Sequence, residues 1–204
     1  MCMPNEVKPA SAWKVLDEHV YETFKIFRIR RSGRENPRTG KRFDFLLMDG
    51  LDWVNIIPLT ENNEVVLVRQ YRHGSESYTW EIPGGCVEKG ENPKDSALRE
   101  LKEETGYEAL GEVIHLGTIH PNPAMQAMRC DCFVARGVTL KGLQELDPGE
   151  DIQVALKPLE EVRAMIARGE ISHAIVLAAF ALFPGRAPCP AFALFPWIGV
   201  GKAP

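Results

Sequence analysis

The chain predicts an α+β fold with a mixed sheet, preceded by an N-terminal antiparallel β segment. Three observations carry that expectation. Apolar and polar residues alternate along several short runs, which is the period of half-buried strands. Helical patterning is confined to 93–105, 159–168 and 172–183. Many strand runs broken by few helices argue for α+β rather than for repeated βα units.

The elements follow in order. Val20–Arg31 and Lys41–Met48 read as strands flanking a polar, turn-rich loop, Ser32–Gly40. Trp53–Leu59 and Glu64–Tyr71 read as a hairpin about the turn Glu61-Asn62-Asn63, and Thr79–Ile82 leads into a glycine pair, Gly84-Gly85. A helix is expected from Pro93 to Thr105. Asn92 suits its N-cap, Pro93 its first turn and Gly106 a left-handed stop. Strands are expected near Glu112–Ile119, Arg129–Ala135 and Ile152–Leu156, then helices over Leu159–Arg168 and Ser172–Phe183. The last helix is apolar almost all round, which predicts burial. This divides the chain into an N-terminal β segment (1–50), a main domain (51–183) and a Pro-rich apolar tail (184–204). Packing of that tail on the domain or on a partner is expected, because exposed aromatics are a liability.

Composition suits one globular domain with a sizeable core: 204 residues, 45% apolar and 25% charged. A net charge of −4 gives no case for a nucleic-acid-binding surface, and no apolar run is long enough to span a membrane. The five cysteines (2, 86, 130, 132 and 189) form no CxxC pair and are odd in number. With no signal-peptide pattern, reduced thiols and a cytoplasmic location are expected. Cys130-x-Cys132 places two thiols on one strand face, a spacing that does not favour zinc, and no redox role is assigned to Cys86.

The chemistry is concentrated in residues 85–107. Gly85 is followed after five residues by Glu91, and after seven more by Arg99-Glu100-Leu101-x-Glu103-Glu104-x-Gly106-Tyr107. On a helix, positions i, i+3 and i+4 share a face, so Glu100, Glu103 and Glu104 project together. Such a face repels itself unless it binds a hard cation such as Mg²⁺ or Mn²⁺. An acidic solvent-facing stripe is the alternative for an isolated ExxEE. The flanking glycines and Arg99 favour metal binding, and Gly84-Gly85 lets the chain approach metals or phosphates closely.

This pattern resembles the box of the Nudix hydrolases, a family that cleaves a nucleoside diphosphate linked to another group using divalent cations. The resemblance implies a Nudix α/β/α sandwich. Beyond the box, Gln70-Tyr71-Arg72, Glu81-Ile82-Pro83-Gly84-Gly85, Pro123 sixteen residues after Tyr107, and Glu150-Asp151-Ile152 are similar to the ADP-ribose pyrophosphatase branch. It therefore implies Mg²⁺-dependent hydrolysis of ADP-ribose to AMP and ribose 5-phosphate. Other nucleoside-diphosphate sugars, dinucleotides or oxidised nucleotides are the alternative substrates, and a non-catalytic ADP-ribose-binding module is the alternative class.

Carried over by position, the Gly84 carbonyl with Glu100 and Glu104 holds the metals. Glu103 is a further ligand or orients the attacking water. Glu150 is the candidate general base or third-metal ligand, with Glu145 and Asp147 as substitutes. Arg72 is placed for the diphosphate or, on local sequence alone, for a surface ion pair. Glu81 positions the loop or the substrate, Gly85 borders it, and Glu91 braces the loop against Arg99. Trp80 either stacks on adenine or fills the core. Pro123 and His120-Pro121 shape the nucleotide wall. His73, His115, His120 and His173 are read as structural. The N-terminal β segment implies a homodimer, with Trp13 or Phe27 as stacking residues.

Overall fold

The computed structural model describes residues 11–183, so the Pro184–Pro204 tail lies outside the described residues. Contacts divide the chain into two units. One runs to Leu51 and adds Asn122–Met128; the other holds Asp52–Pro121 and Arg129 onwards.

The first unit is a three-stranded antiparallel sheet: β1 (Lys14–Thr23), β2 (Phe27–Glu35) and β3 (Arg42–Gly50), in that order. The run Val20–Arg31, expected as one strand, is two strands that reverse at Phe24–Ile26, where Phe24 N–H donates to Phe27 O at 2.8 Å. That reversal contains no Gly, Pro, Asn or Asp, so alternation passes through it without a sequence signal. The expected loop at Ser32–Gly40 shortens likewise. β2 continues to Glu35, paired with Arg42, and the turn is held by Asn36 Oδ1 accepting from Arg38 N–H. Met48 clasps the 122–128 segment, donating to Met125 O at 2.7 Å and accepting from Ala127 N–H at 2.9 Å.

The second unit contains β4 (Trp53–Leu59), β5 (Glu64–Arg72), β6 (Ser77–Glu81), α1 (Pro93–Thr105), β7 (Tyr107–Ala109), β8 (Val113–Ile119), β9 (Cys130–Arg136), β10 (Val138–Leu140), β11 (Ile152–Pro158), α2 (Leu159–Ala167) and α3 (Ala174–Leu182). Its main sheet runs β11-β5-β4-β9-β8, with β6 also on β5. β4 and β9 are parallel and the other pairs antiparallel, so the sheet is mixed. The central strands are Val- and Ile-rich because both faces are covered. Val54, Ile56, Val66 and Phe133 pack with Ala97 and Leu101 of α1. Ile57, Leu67 and Val134 pack with Val162 of α2 and Val176 of α3. Helix, sheet and helix form the expected sandwich. The β7–β10 pair had no counterpart in the sequence reading, since three residues are too few to show a period.

α3 departs from expectation. Among its residues only Val176 and Ala179 are buried, and Leu182 is 38% exposed. A helix lying on a sheet buries one stripe, however apolar its other faces are. Among the described residues no helix is long and apolar enough to cross a membrane.

Candidate active site

The site is built from the β6–α1 connection and the helix that follows. Asn92 Oδ1 accepts from Lys94 N–H at 2.9 Å, Pro93 opens the first turn, and Gly106 (φ 73°) closes the last. The buried stripe Ala97–Leu101–Glu104 faces the sheet, so Glu104 sits at the edge of the core, 3% exposed. The glycine pair lies against it. A Cβ on Gly85 would stand 2.5 Å from Glu100 Oε1, and one on Gly84 would stand 2.3 Å from Val54 O. At Gly84 the backbone leaves no room for a side chain, whereas at Gly85 a side chain would push the Glu100 carboxylate aside.

One buried carboxylate, Glu104, and one partly buried carboxylate, Glu100, therefore lie beside the glycine loop. Glu104 accepts one hydrogen bond, from Gly84 N–H at 3.1 Å. Burial pushes its pKa well above the ordinary value, and repulsion from Glu100 and Glu150 adds to this. Glu100 is also raised, first by burial, with Glu103 and Glu150 reinforcing and Arg99 opposing. The Gly84 carbonyl accepts no hydrogen bond among the described residues, whereas Gly85 O is taken by Val54 N–H at 2.9 Å. Two under-compensated carboxylates beside an open carbonyl are a donor set that fits a hard divalent cation. Among the described residues, no three His, Cys, Asp or Glu side chains converge on one point.

Arg99 organises the loop. Its Nε donates to Glu91 Oε1 at 3.1 Å, Nη1 to Glu100 and Glu103 at 2.9 Å each, and Nη2 to Cys86 O at 3.2 Å. Glu91 also accepts from Ser96 O–H and Glu88 N–H. The Arg99 hydrogen bond leads the effects that hold Glu91 at a pKa of about 2. Glu91 is therefore a brace. Glu103 is 37% exposed and is turned towards Arg99.

Across the cleft, Arg72 at the end of β5 grips Glu81 at the end of β6. Nε–Oε1 is 2.7 Å and Nη2–Oε2 is 2.6 Å. Thr79 O–H donates to the same carboxylate. Burial alone would raise the Glu81 pKa, but the hydrogen bonds from Arg72 and Thr79 bring it down instead. Arg72 pairs with a buried carboxylate, not a surface one, and also lines the cleft. The cleft has a volume of about 530 Å³, and its lining includes Arg72, Thr79, Glu81, Gly84, Gly85 and His173.

The remaining expected residues are placed as follows. Trp80 follows Thr79 on β6 and so faces the opposite side of the sheet. It packs against the core under α2 and α3, with Arg69 5.6 Å above its ring, and does not line the cleft. Core filling is the role its geometry carries. Pro123 belongs to the first unit, where it lines a hollow of about 520 Å³ with Trp13, Arg30, Arg34 and Phe45. Of the loop acids, Glu150 carries charge felt at Arg72, Glu100 and Glu104, whereas that of Glu145 is felt at Lys102.

Two contributors were missed by the sequence reading. Gln144 Nε2 donates to Glu104 O at 2.7 Å and to Ile152 O at 3.0 Å, tying the acidic loop to the catalytic helix. Only the tertiary contact marks it. His173, read as structural, lines the cleft; its place before an apolar helix was the available signal.

A family model for the NUDIX domain matches residues 52–180. The chain belongs to the Nudix family. It is 36% identical over 170 residues to a methanol dehydrogenase activator of Bacillus methanolicus, covering 78% of this chain and 88% of that one. It is 32% identical over 122 residues to an ADP-ribose pyrophosphatase of Bacillus subtilis (strain 168), covering 59% and 65%. A crystal structure of an ADP compounds hydrolase has the same fold, with a TM-score of 0.75 at 23% identity over 86% of this chain and 94% of that one. As a Nudix hydrolase, the chain has its box on α1 and the preceding loop, where Glu100 and the buried Glu104 lie.

Proposed function

We propose that this Nudix hydrolase cleaves ADP-ribose to AMP and ribose 5-phosphate with Mg²⁺, for which Mn²⁺ substitutes. The observation that supports the reading is the buried Glu104 and the partly buried Glu100 beside an open Gly84 carbonyl, which lines one cleft with Arg72. The name of the Bacillus subtilis relative supports the choice of substrate.

Gly84 O, Glu100 and Glu104 would hold the metal, with Glu103 as a further ligand or as the group that orients the water. When bound, the metal neutralises the diphosphate and activates a water for in-line attack at phosphorus. Arg72, held by Glu81, turns its remaining guanidinium N–H groups to the diphosphate, where preorganised charge stabilises the transition state. Gly85 keeps the loop free of side chains where phosphate approaches. Glu150 takes the proton of the attacking water as general base or serves as a further metal ligand, with Glu145 and Asp147 as the alternatives on the same loop. In the first unit, the hollow of Trp13, Arg30, Arg34, Phe45 and Pro123 offers aromatic faces and cations for a base. The working form is a cytoplasmic homodimer joined through the N-terminal β segment.

A phosphate-release panel with added phosphatase and Mg²⁺ tests the reading, using ADP-ribose, ADP-glucose, GDP-mannose, NADH, diadenosine polyphosphates and 8-oxo-dGTP. ADP-ribose is expected to be the best substrate. A clear preference for another compound moves the assignment within the family, and release from none overturns it.

A further inference from the structure

His173 stands at the N-cap of α3 and makes no side-chain capping bond. The start of that helix is fixed from the sheet, because Asn55 Nδ2 donates to Ile175 O at 3.1 Å. The imidazole is thereby set on the cleft wall that holds Arg72, Thr79 and Glu81. Its two nitrogens differ. Nδ1 is sealed from solvent and has no partner. Nε2 is not among the sealed, unpartnered atoms and makes no hydrogen bond among the described residues, which leaves it as the ring's polar atom for the cleft.

Burial lowers the pKa of His173; Arg72 adds to this and Glu81 opposes it, so the ring carries one proton at neutral pH. A buried N–H without a partner is rarer and costlier than an unfilled lone pair, which places that proton on Nε2. The cleft lining then carries two kinds of donor: the charged guanidinium of Arg72 and an uncharged ring N–H. The first matches phosphate oxygens. The second suits an acceptor without charge, and the ribose hydroxyls of ADP-ribose are acceptors of that kind.

We propose that His173 is a substrate-binding residue that donates its Nε2–H to a sugar hydroxyl of the substrate. This rests on the hydrolase reading for its choice of ligand. The site itself rests on the placement of the ring.

The test compares wild type, His173→Leu and His173→Gln. Leucine removes the donor, whereas the glutamine amide nitrogen reaches the Nε2 position. His173→Leu is expected to raise KM for ADP-ribose about 3- to 10-fold, the scale of one net hydrogen bond, with kcat changed less than about 2-fold. His173→Gln should restore KM to within about 2-fold of wild type. Calorimetric titration with ribose 5-phosphate and with AMP then identifies the sugar: the product whose affinity falls in His173→Leu carries the hydroxyl. Unchanged KM in His173→Leu, equal losses in both folded variants, or unaltered affinity for both products overturns the proposal. If wild type hydrolyses nothing yet binds either product through His173, the hydrolysis reading falls and the site stands. If wild type binds neither product, the proposal falls.

Discussion

At the scale of single residues, the proposed chemistry turns on Glu104. Its folded pKa is raised above the value of 4.5 that an unperturbed glutamate has. Between those two values the folded protein holds a proton that the unfolded chain has released. The group's stabilising contribution is therefore full below the unfolded value and is lost as pH rises through the folded one. A divalent cation competes with that same proton. The rise in Tm produced by Mg²⁺ should accordingly grow as pH is raised from mildly acidic to mildly basic, read by calorimetric melts. Glu104→Gln keeps an acceptor for Gly84 N–H but has no charge to give. It should fold, lose most of the pH-dependent Mg²⁺ gain, and lower kcat at least about 10²-fold. Near-normal turnover by that variant would count against the assigned metal face.

At the scale of elements, α1 is a helix whose two ends do different work. Asn92 satisfies one N–H of the first turn, so Asn92→Ala should cost about 1 kcal/mol in a urea melt. Gly106 is in the left-handed region, and a Cβ there would stand 2.3 Å from Gly142 O. Gly106→Ala should cost more than the cap does, because both conformation and space oppose it. It should also reduce kcat, since the adjoining loop hangs on the same helix end through Lys141 N–H and Gly142 N–H to Gly106 O, and Glu145 N–H to Glu103 O. Equal, small losses in both variants would argue that the C-terminal end of α1 does not position the loop.

At the scale of the whole molecule, the first unit leaves large apolar side chains open. Tyr21, Ile26 and Leu46 are each more than half exposed. Several of its charged side chains pair with one another: Arg30 with Asp49 at 2.7 Å, Arg31 with Asp17 at 2.8 Å, and Arg42 with Asp17 at 2.7 Å. In the proposed homodimer, a partner subunit covers that open apolar surface. Light scattering at micromolar concentration should show a dimer, and Leu46→Glu should shift it towards monomer. A wild-type monomer would remove the homodimer from the proposed function.

Much of this protein was legible in its residues because the deciding interactions are local. α1, its cap, its left-handed stop and the shared face of Glu100, Glu103 and Glu104 all follow from one helical period and a few turn rules. The layered mixed sheet follows from runs of Val and Ile between turn residues. Local pattern failed where no turn residue marked a reversal, as at Phe24–Ile26, and where an all-apolar helix left its packing stripe undefined, as in α3. Only tertiary structure decided that Arg72 grips Glu81, that Trp80 faces the core, that Glu150 is the loop acid whose charge reaches Glu100 and Glu104, and that His173 stands on the cleft. Each of those depends on which strands pair and which loops fold back, and sequence spacing along one chain does not encode a distance between two of its segments.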